Sequence, residues 1–241
     1  MTAGPGASPP LRAPRAVPAS RAFAWYGEAM RLWRASPGMF AVLAAISMGT
    51  ELALHLLPAG GAIVAQFVLP LVECSLLYGS LAADRGDKPR LKHLVAVLGA
   101  SRGAQAAVVV AGLAGFLAQV LVARALTDVD LLASGGLSDN LTPTDLVVIV
   151  SAGIVVSLPL GFVAPVALFD EPGFANAFRA SVAAFTRNVA PLAVYALLSL
   201  GLFLFGIVTS GLGLLLVLPW LGASSYAAWK DVFGVASTSR P

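Results

Sequence analysis

The sequence predicts an all-α fold: a polytopic membrane bundle of six transmembrane helices with amphipathic interfacial helices on its cytoplasmic side. Two observations predict it. Only 11% of the 241 residues are charged and 58% are apolar, whereas a soluble domain carries about 25% charged residues to wet its surface. Long charge-free stretches also recur, and ~20 apolar residues form a helix long enough to cross the ~30 Å hydrocarbon core. This composition argues against a soluble enzyme and against a disordered or fibrous protein.

The charge-free stretches predict the positions of six spans. The links at 58–60 and 210–211 are too short for anything but tight turns, so the spans beside them form helical hairpins. A Pro- and Ala-rich tail, 1–19, lacks the apolar core of a signal peptide and is expected to be disordered and cytoplasmic. One transmembrane domain, 20–234, and a short cytoplasmic tail, 235–241, complete the chain. The predicted spans are 39–57, 61–82, 103–122, 145–168, 191–209 and 212–229.

The positions of the basic residues predict the orientation. If the N-terminus is inside, all but one of the 15 Lys and Arg residues lie on the inner side of the membrane. The exception is Arg124, beside an outer loop at 125–144 that carries Asp128, Asp130 and Asp139. Because inner loops are enriched in Lys and Arg, both termini are predicted to be cytoplasmic.

Amphipathic segments precede spans one, three and five, at 20–35, 89–100 and 172–188. Helices of this kind lie among lipid headgroups, although short helices packed on the end of the bundle are the alternative. In the first segment the candidate lipid contacts are Arg21, Trp25, Arg31, Trp33 and Arg34. The apolar faces are predicted to be Phe23, Tyr26, Met30 and Trp33; then Leu91, Leu94, Val95 and Leu98; and then Phe174, Phe178, Val182 and Phe185.

Span three carries small residues at every fourth position: Gly103, Ala107, Ala111 and Gly115. Such a stripe lets two transmembrane helices approach closely. We expect the partner to be another helix of the same chain, with a homo-oligomer through span three as the alternative.

Prolines inside the predicted spans are expected to bend or break their helices. Broken helices mark substrate sites in some transporters, but proline is also common in transmembrane helices generally. The residues concerned are Pro70, Pro159, Pro165 and Pro219.

Glu51, His55 and Glu73 are the ionisable residues well inside the predicted spans. Spans one and two form a hairpin, so the two carboxylates are predicted to meet near mid-membrane, where no Lys or Arg can neutralise them. Intramembrane acids often serve proton or cation movement. The alternative is a pair of neutral acids that hydrogen-bond Ser47, Thr50, Ser75 or each other.

The sequence contains no HExxH, GxSxG or P-loop motif, and its single cysteine excludes a pair of Cys ligands. We therefore expect no metal, no cofactor and no catalytic residue, and we predict that the protein is not an enzyme.

Three passages resemble an uncharacterised family of six-span bacterial inner-membrane proteins: 33–40 (WRASPGMF), 180–188 (ASVAAFTRN) and 226–233 (YAAWKDVF). That family is similar to the membrane domain of some glycerophosphodiester phosphodiesterases, whose catalytic domain has no counterpart here. The resemblance implies a location in the bacterial inner membrane and transfers no functional residue.

These observations predict a membrane protein that organises lipid or partner proteins through its cytoplasmic face. Its expected partners are membrane lipids, with no role for nucleic acid. The alternative is a small proton- or cation-coupled transporter or channel that uses Glu51 and Glu73.

Overall fold

The computed structural model describes residues 12–57, 60–127, 129, 131 and 141–236, and all regular structure in this part of the chain is helical. Several predictions concern residues outside the described ranges. They include most of the first tail, the end of the second, the first two residues of the turn at 58–60, and Asp128, Asp130 and Asp139 in the outer loop.

Five helices are long and apolar enough to cross a membrane, which makes the chain a multi-pass membrane protein. They overlap the first five predicted spans closely. They are α2 (Pro37–His55), α3 (Gly61–Asp84), α4 (Arg102–Thr127), the unit Pro143–Phe169 formed by α5 (Pro143–Ser157) and α6 (Val163–Phe169), and α8 (Val189–Val208).

The sixth predicted span corresponds to α9 (Leu214–Val232), which is not among the five candidate spans. Its first half is apolar, but its second half carries Ser224, Tyr226, Lys230 and Asp231, all of them buried. Because these polar groups lower its mean hydropathy, only five spans follow from length and composition.

The α5–α6 unit is interrupted at Pro159, as predicted, by a single 3₁₀ turn at Leu158–Leu160. Proline cannot donate a backbone hydrogen bond, so the interruption frees polar backbone groups. Ser181 of α7 (Phe174–Arg187) satisfies two of them, since its Oγ donates to the Pro159 carbonyl at 2.8 Å and accepts from the Phe162 amide at 3.1 Å. By contrast, Pro70 and Pro219 lie inside continuous helices.

One end of the bundle is covered by a layer of shorter elements, which we call the polar layer. It consists of α1 (Arg21–Arg34), the segment 85–101, α7 and the second half of α9. The segment 89–100 was predicted to be one amphipathic helix, but it forms two short 3₁₀ turns, Leu91–Leu94 and Ala96–Gly99. The side chain of Gln105 donates to the carbonyls of Val97, Leu98 and Ala100, and these bonds stabilise the more open conformation.

The largest cluster of buried apolar residues lies where the polar layer meets the spans. Trp25 and Leu32 of α1, Phe40 of α2, Val166 of α6 and Tyr226 of α9 are all members and nearly inaccessible. The best-packed region of this protein is therefore at one end of the bundle.

Candidate functional site

Asp84 is the centre of a buried charge cluster between α3 and α9. Its side chain is 2% exposed, yet it accepts hydrogen bonds from Lys230 Nζ at 2.6 Å, Tyr226 Oη at 3.1 Å and Arg31 Nη2 at 3.1 Å. Asp84 ends α3 as that helix enters the polar layer, and α9 carries Tyr226 and Lys230 four residues apart on one face. The cluster therefore ties α1, α3 and α9 together.

Asp231 forms a second charge cluster beside the first. It accepts from Arg15 Nη2 at 2.6 Å, Arg21 Nε at 2.7 Å and Trp25 Nε1 at 2.8 Å. Burial alone would raise the pKa of Asp231, but the hydrogen bonds from Arg21, Trp25 and Arg15 outweigh it and hold the pKa below its usual value. Asp231 is thus a stable anion that anchors α1 to the end of α9.

Residues 14–17 form a strap across the polar layer. The Arg15 amide donates to the Val232 carbonyl at 2.8 Å, and Arg187 Nη1 donates to the Pro14 carbonyl at 2.6 Å. Asn188 Oδ1 accepts from the Val17 amide at 2.8 Å, while Asn188 Nδ2 donates to the Arg15 carbonyl at 3.0 Å. The sequence assigns these residues to a disordered tail, but in the structure they are part of the folded layer.

A cleft of about 600 Å³ opens between Arg12, α3, residues 96–100, α6 and α9. This volume is in the range of small-molecule sites, which measure about 300–1,000 Å³. Its walls carry both signs of charge together with aromatic rings. The lining residues include Arg12, Tyr78, Arg85, Phe169, Asp170, Glu171, Tyr226 and Trp229.

Aromatic side chains form one wall of the cleft. Phe169 packs edge-on against Tyr78, with ring centroids 5.5 Å apart, and lies 5.2 Å from Trp229. Tyr78 and Phe169 are partly exposed, whereas Trp229 is buried and donates to Asp170 at 3.3 Å. Burial raises the pKa of Asp170 above its usual value, although the Trp229 hydrogen bond and the charge of Arg12 act in the opposite direction.

The residues predicted to contact lipid on α1 have different environments. Trp25 is 1% exposed and bonded to Asp231, so its predicted lipid contact is replaced by a contact within the protein. Arg21 and Arg31 are partly exposed but are paired with Asp231 and with Glu28 and Asp84. Trp33 is half-buried, and its indole N–H has no partner among the described residues. Arg34 is exposed and forms no ion pair within the described ranges.

The apolar face of α1 is also rotated from the prediction. The residues that face the bundle are Ala22, Trp25, Tyr26, Ala29 and Leu32, whereas Phe23 is 61% exposed. The helix is therefore held to the protein by one side and presents a second apolar side to its surroundings.

α7 shows the same arrangement more clearly. Small residues face the bundle, while Phe174 and Val182 are 41% and 42% exposed, and Phe178 and Phe185 are half-buried. Asn176 and Arg179 are exposed on a third side. The residues that contact the bundle are Ala177, Ala180, Ser181 and Ala184.

Glu51 and Glu73 are both accessible within the isolated chain and lie close enough for their charges to repel each other. Neither carboxylate has a hydrogen-bond partner in the part of the chain that the structure describes. Ser47, one proposed partner, donates instead to the Leu43 carbonyl, and Ser75 Oγ is buried without any partner among those residues. His55 Nδ1 lies 2.8 Å from the Glu51 carbonyl oxygen, so its ring is bonded to its own helix.

The small residues of α4 face other helices of the same chain. A Cβ at Gly115 would collide with Ser157 Oγ of α5, a Cβ at Gly103 would contact the Phe174 amide, and Ala107 is fully buried. Ala111 is partly buried and packs against the apolar cluster. These contacts are those expected of an intrachain seam, and the homo-oligomer through span three stays a prediction.

Sequence reasoning missed the residues that organise the polar layer. Asp84, Asn188, Lys230 and Asp231 lie at helix ends, where charged and polar residues are unremarkable in a sequence. A signal was nevertheless present, because Asn188, Lys230 and Asp231 belong to the passages on which the family resemblance depends. Their buried hydrogen bonds give those passages a structural role.

No group of three or more His, Cys, Asp or Glu side chains suited to a metal ion is found within the described ranges. Comparison of the chain with protein-family models, with curated proteins and with solved structures finds no match. The family resemblance therefore stays a prediction from three short passages.

Proposed function

We propose that this chain is a non-enzymatic, six-span protein of the bacterial inner membrane that organises lipid at the cytoplasmic surface. The observation that carries the proposal is the orientation of α7. A helix that served only to cap the bundle would bury all of its large apolar side chains. On α7, small residues face the protein and Phe174 and Val182 are exposed, while Phe178 and Phe185 pack partly against the apolar cluster.

The sixth span is supported by the contact between the two ends of the described chain. Arg15 precedes the first span, Asp231 lies near the end of α9, and their side chains are 2.6 Å apart. A chain that returns to its starting side has crossed the membrane an even number of times, so the five candidate spans require one more crossing. α9 is the described helix that follows the fifth candidate span, so we assign this crossing to the segment that contains it.

The cytoplasmic orientation is supported by the distribution of positive charge. The polar layer contains the Lys and Arg residues of α1, of segment 85–101 and of α7, and such residues are enriched on the cytoplasmic side. The bacterial inner membrane is the location that the family resemblance implies.

The topology can be tested by cysteine labelling in a Cys74→Ala background. Thr144→Cys and Leu212→Cys should react with an impermeant reagent added outside intact cells, whereas Ala236→Cys should react only after lysis. External labelling of Ala236→Cys together with Leu212→Cys would contradict the sixth crossing.

Lipid is favoured over a protein partner because exposed apolar groups form several separate sites around the polar layer. Phe23 on α1, Leu98 beside α4 and Val182 on α7 are each more than 40% exposed. Exposed arginines without an ion pair in the described ranges, Arg34 and Arg179, accompany them. Aromatic and apolar groups inserted shallowly beside basic residues are typical of binding to an anionic lipid surface.

The orientation of α7 can be tested with spin labels at Val182→Cys and Asn176→Cys in the same Cys74→Ala background. In bilayers, the label at position 182 should be relaxed by oxygen and shielded from a nickel chelate, because it is expected to lie in lipid. The label at position 176 should show the opposite behaviour. Equal access of the nickel chelate to both labels would contradict lipid contact.

The lipid-organising activity can be measured by mass spectrometry of protein extracted in native lipid. We expect phosphatidylglycerol to be enriched, and Arg34→Gln with Arg179→Gln to reduce the enrichment, since each basic residue near an anionic surface contributes about 1 kcal/mol of attraction. A double variant, Lys88→Gln with Lys92→Gln on segment 85–101, tests whether the basic residues of this segment also contribute to the phosphatidylglycerol enrichment. No enrichment by the natural chain would refute the proposal.

The second candidate function is proton or cation movement through Glu51 and Glu73. It is favoured by the accessibility and proximity of the two carboxylates, neither of which is bonded to a described residue. Glu51→Gln and Glu73→Gln should then abolish ion movement in proteoliposomes while leaving the protein folded. Natural protein that moves no ion under any imposed gradient would eliminate this candidate.

A further inference from the structure

The charges of the cleft are arranged for a ligand that carries both signs. Arg85 and Glu171 lie on its walls without an ion-pair partner in the part of the chain that the structure describes. Arg12 and Asp170, also on its walls, attract each other without direct contact between their charged groups. The cleft therefore presents two guanidinium groups and two carboxylates whose bonding capacity is incompletely used. By contrast, Asp84 at its base is fully engaged by Lys230, Tyr226 and Arg31.

The backbone of Glu171, which lines the cleft, has a strained conformation. Glu171 has φ +47°, in the left-handed region that residues other than Gly, Asn and Asp rarely adopt. It also precedes Pro172, and a following proline restricts its conformation further. Such strain costs about 1–3 kcal/mol and is concentrated at functional positions. Glu171 follows Asp170 directly in the chain, and both residues line the cleft.

The accessible rings of Tyr78 and Phe169 provide the third element of the site. Organic ammonium groups bind against aromatic faces, and neighbouring carboxylates strengthen the interaction. Guanidinium groups, for their part, bind phosphate with well-defined geometry. The cleft combines both kinds of recognition within about 600 Å³.

We propose that this cleft binds an aminophosphate group, with the ammonium between Tyr78, Phe169 and the carboxylates of Asp170 and Glu171, and the phosphate at Arg12 and Arg85. The inference extends the proposed lipid-organising function, because the polar layer is expected to lie at headgroup level. The same chemistry occurs in the headgroup of phosphatidylethanolamine and in free phosphoethanolamine, so both are used as probes.

The test measures binding to the full-length protein in detergent by native mass spectrometry. Phosphatidylethanolamine should bind roughly tenfold more tightly than phosphatidylglycerol, which lacks the amine. Glu171→Gln should remove this preference without weakening phosphatidylglycerol binding, and Arg85→Gln should weaken both lipids. Asp87→Asn and Arg102→Gln, which alter exposed charges outside the cleft, are the matched controls.

Soluble phosphoethanolamine distinguishes the two sources of the ligand. Competition by millimolar phosphoethanolamine would support the site and identify a free aminophosphate as a source of the ligand, and lipid binding without competition would identify the lipid headgroup. Equal affinity for the two lipids would overturn the inference. It would also be overturned if Glu171→Gln kept the preference for phosphatidylethanolamine and Arg85→Gln weakened the binding of neither lipid. If phosphatidylglycerol enrichment through Arg34 and Arg179 persisted in that case, only the cleft proposal would fail.

Discussion

The substitution Asp84→Asn tests whether the buried charge cluster stabilises the polar layer. It removes one charge while preserving the shape of the side chain. Lys230, with a side chain 9% exposed, then loses the carboxylate that lies 2.6 Å from its Nζ. Breaking a buried ion pair from one side costs up to about 3–5 kcal/mol, and Lys230 keeps its contact with the Tyr226 ring, whose centroid lies 5.7 Å from Nζ. Arg31 contributes less, since it is 50% exposed and exposed pairs are worth about 1 kcal/mol or less.

We therefore expect Asp84→Asn to lower the free energy of unfolding by about 2–3 kcal/mol. The measurement is reversible unfolding in mixed detergent–SDS micelles, followed by circular dichroism. Asp87→Asn is the matched control, because it makes the same chemical change to an exposed residue of the same layer and should cost at most about 1 kcal/mol.

A second substitution separates the effect of charge from that of packing. Replacing both Asp84 and Lys230 with apolar residues, as in Asp84→Leu with Lys230→Met, removes both buried charges and should recover much of the stability lost in Asp84→Asn. If Asp84→Asn proves no more destabilising than Asp87→Asn, the cluster does not hold the layer together and the reasoning is refuted.

Three further predictions concern helix packing, the interrupted span and the strap. Gly112→Ala should destabilise the protein by about 1–3 kcal/mol, because its Cβ would lie 2.7 Å from Pro70 Cγ, whereas Gly49→Ala, with nothing within 4 Å, should be neutral in the same unfolding assay. Ser181→Ala should cost about 1–3 kcal/mol by leaving two backbone groups unsatisfied, and a loss no larger than that of Gly49→Ala would contradict this role. The depressed pKa of Asp231 means that its stabilisation is complete above the unfolded pKa of about 3.9 and is lost as pH falls through the folded pKa. The stability difference between the natural chain and Asp231→Asn should therefore shrink below about pH 4, and a difference independent of pH would exclude an ionic role.

The membrane class and the first five spans follow from the sequence alone. Crossing a hydrocarbon core requires long uncharged helices, so the composition of each segment shows whether that segment can cross. The missing backbone donor of proline predicts a bend or break at several prolines, but the structure interrupts a helix at Pro159 and continues it through Pro70 and Pro219. The existence of α1 and α7 also follows, from apolar residues at helical spacing.

The orientation of those two helices does not follow from the sequence, because each has three distinct sides. Hydrophobicity alone gives Phe174 and Val182 the bundle-facing role, whereas the structure gives it to Ala177 and Ser181. Close helix packing in a membrane favours small residues at the contact, and lipid solvates the large ones. Which face is the contact depends on the shape of the neighbouring helix.

Only the tertiary structure brings together the residues of the polar layer. Arg15 and Asp231 are 216 positions apart in the chain, and Asp84 and Lys230 are 146 apart, yet each pair is in direct contact. Local composition cannot reveal such partners, since a charged residue at a helix end has the same sequence signature whether it faces water or a buried counter-charge. The sequence determines that the chain enters the membrane, because that depends on the composition of each segment separately. The tertiary structure determines the cleft, the strap and the charge clusters, because these depend on how distant segments meet.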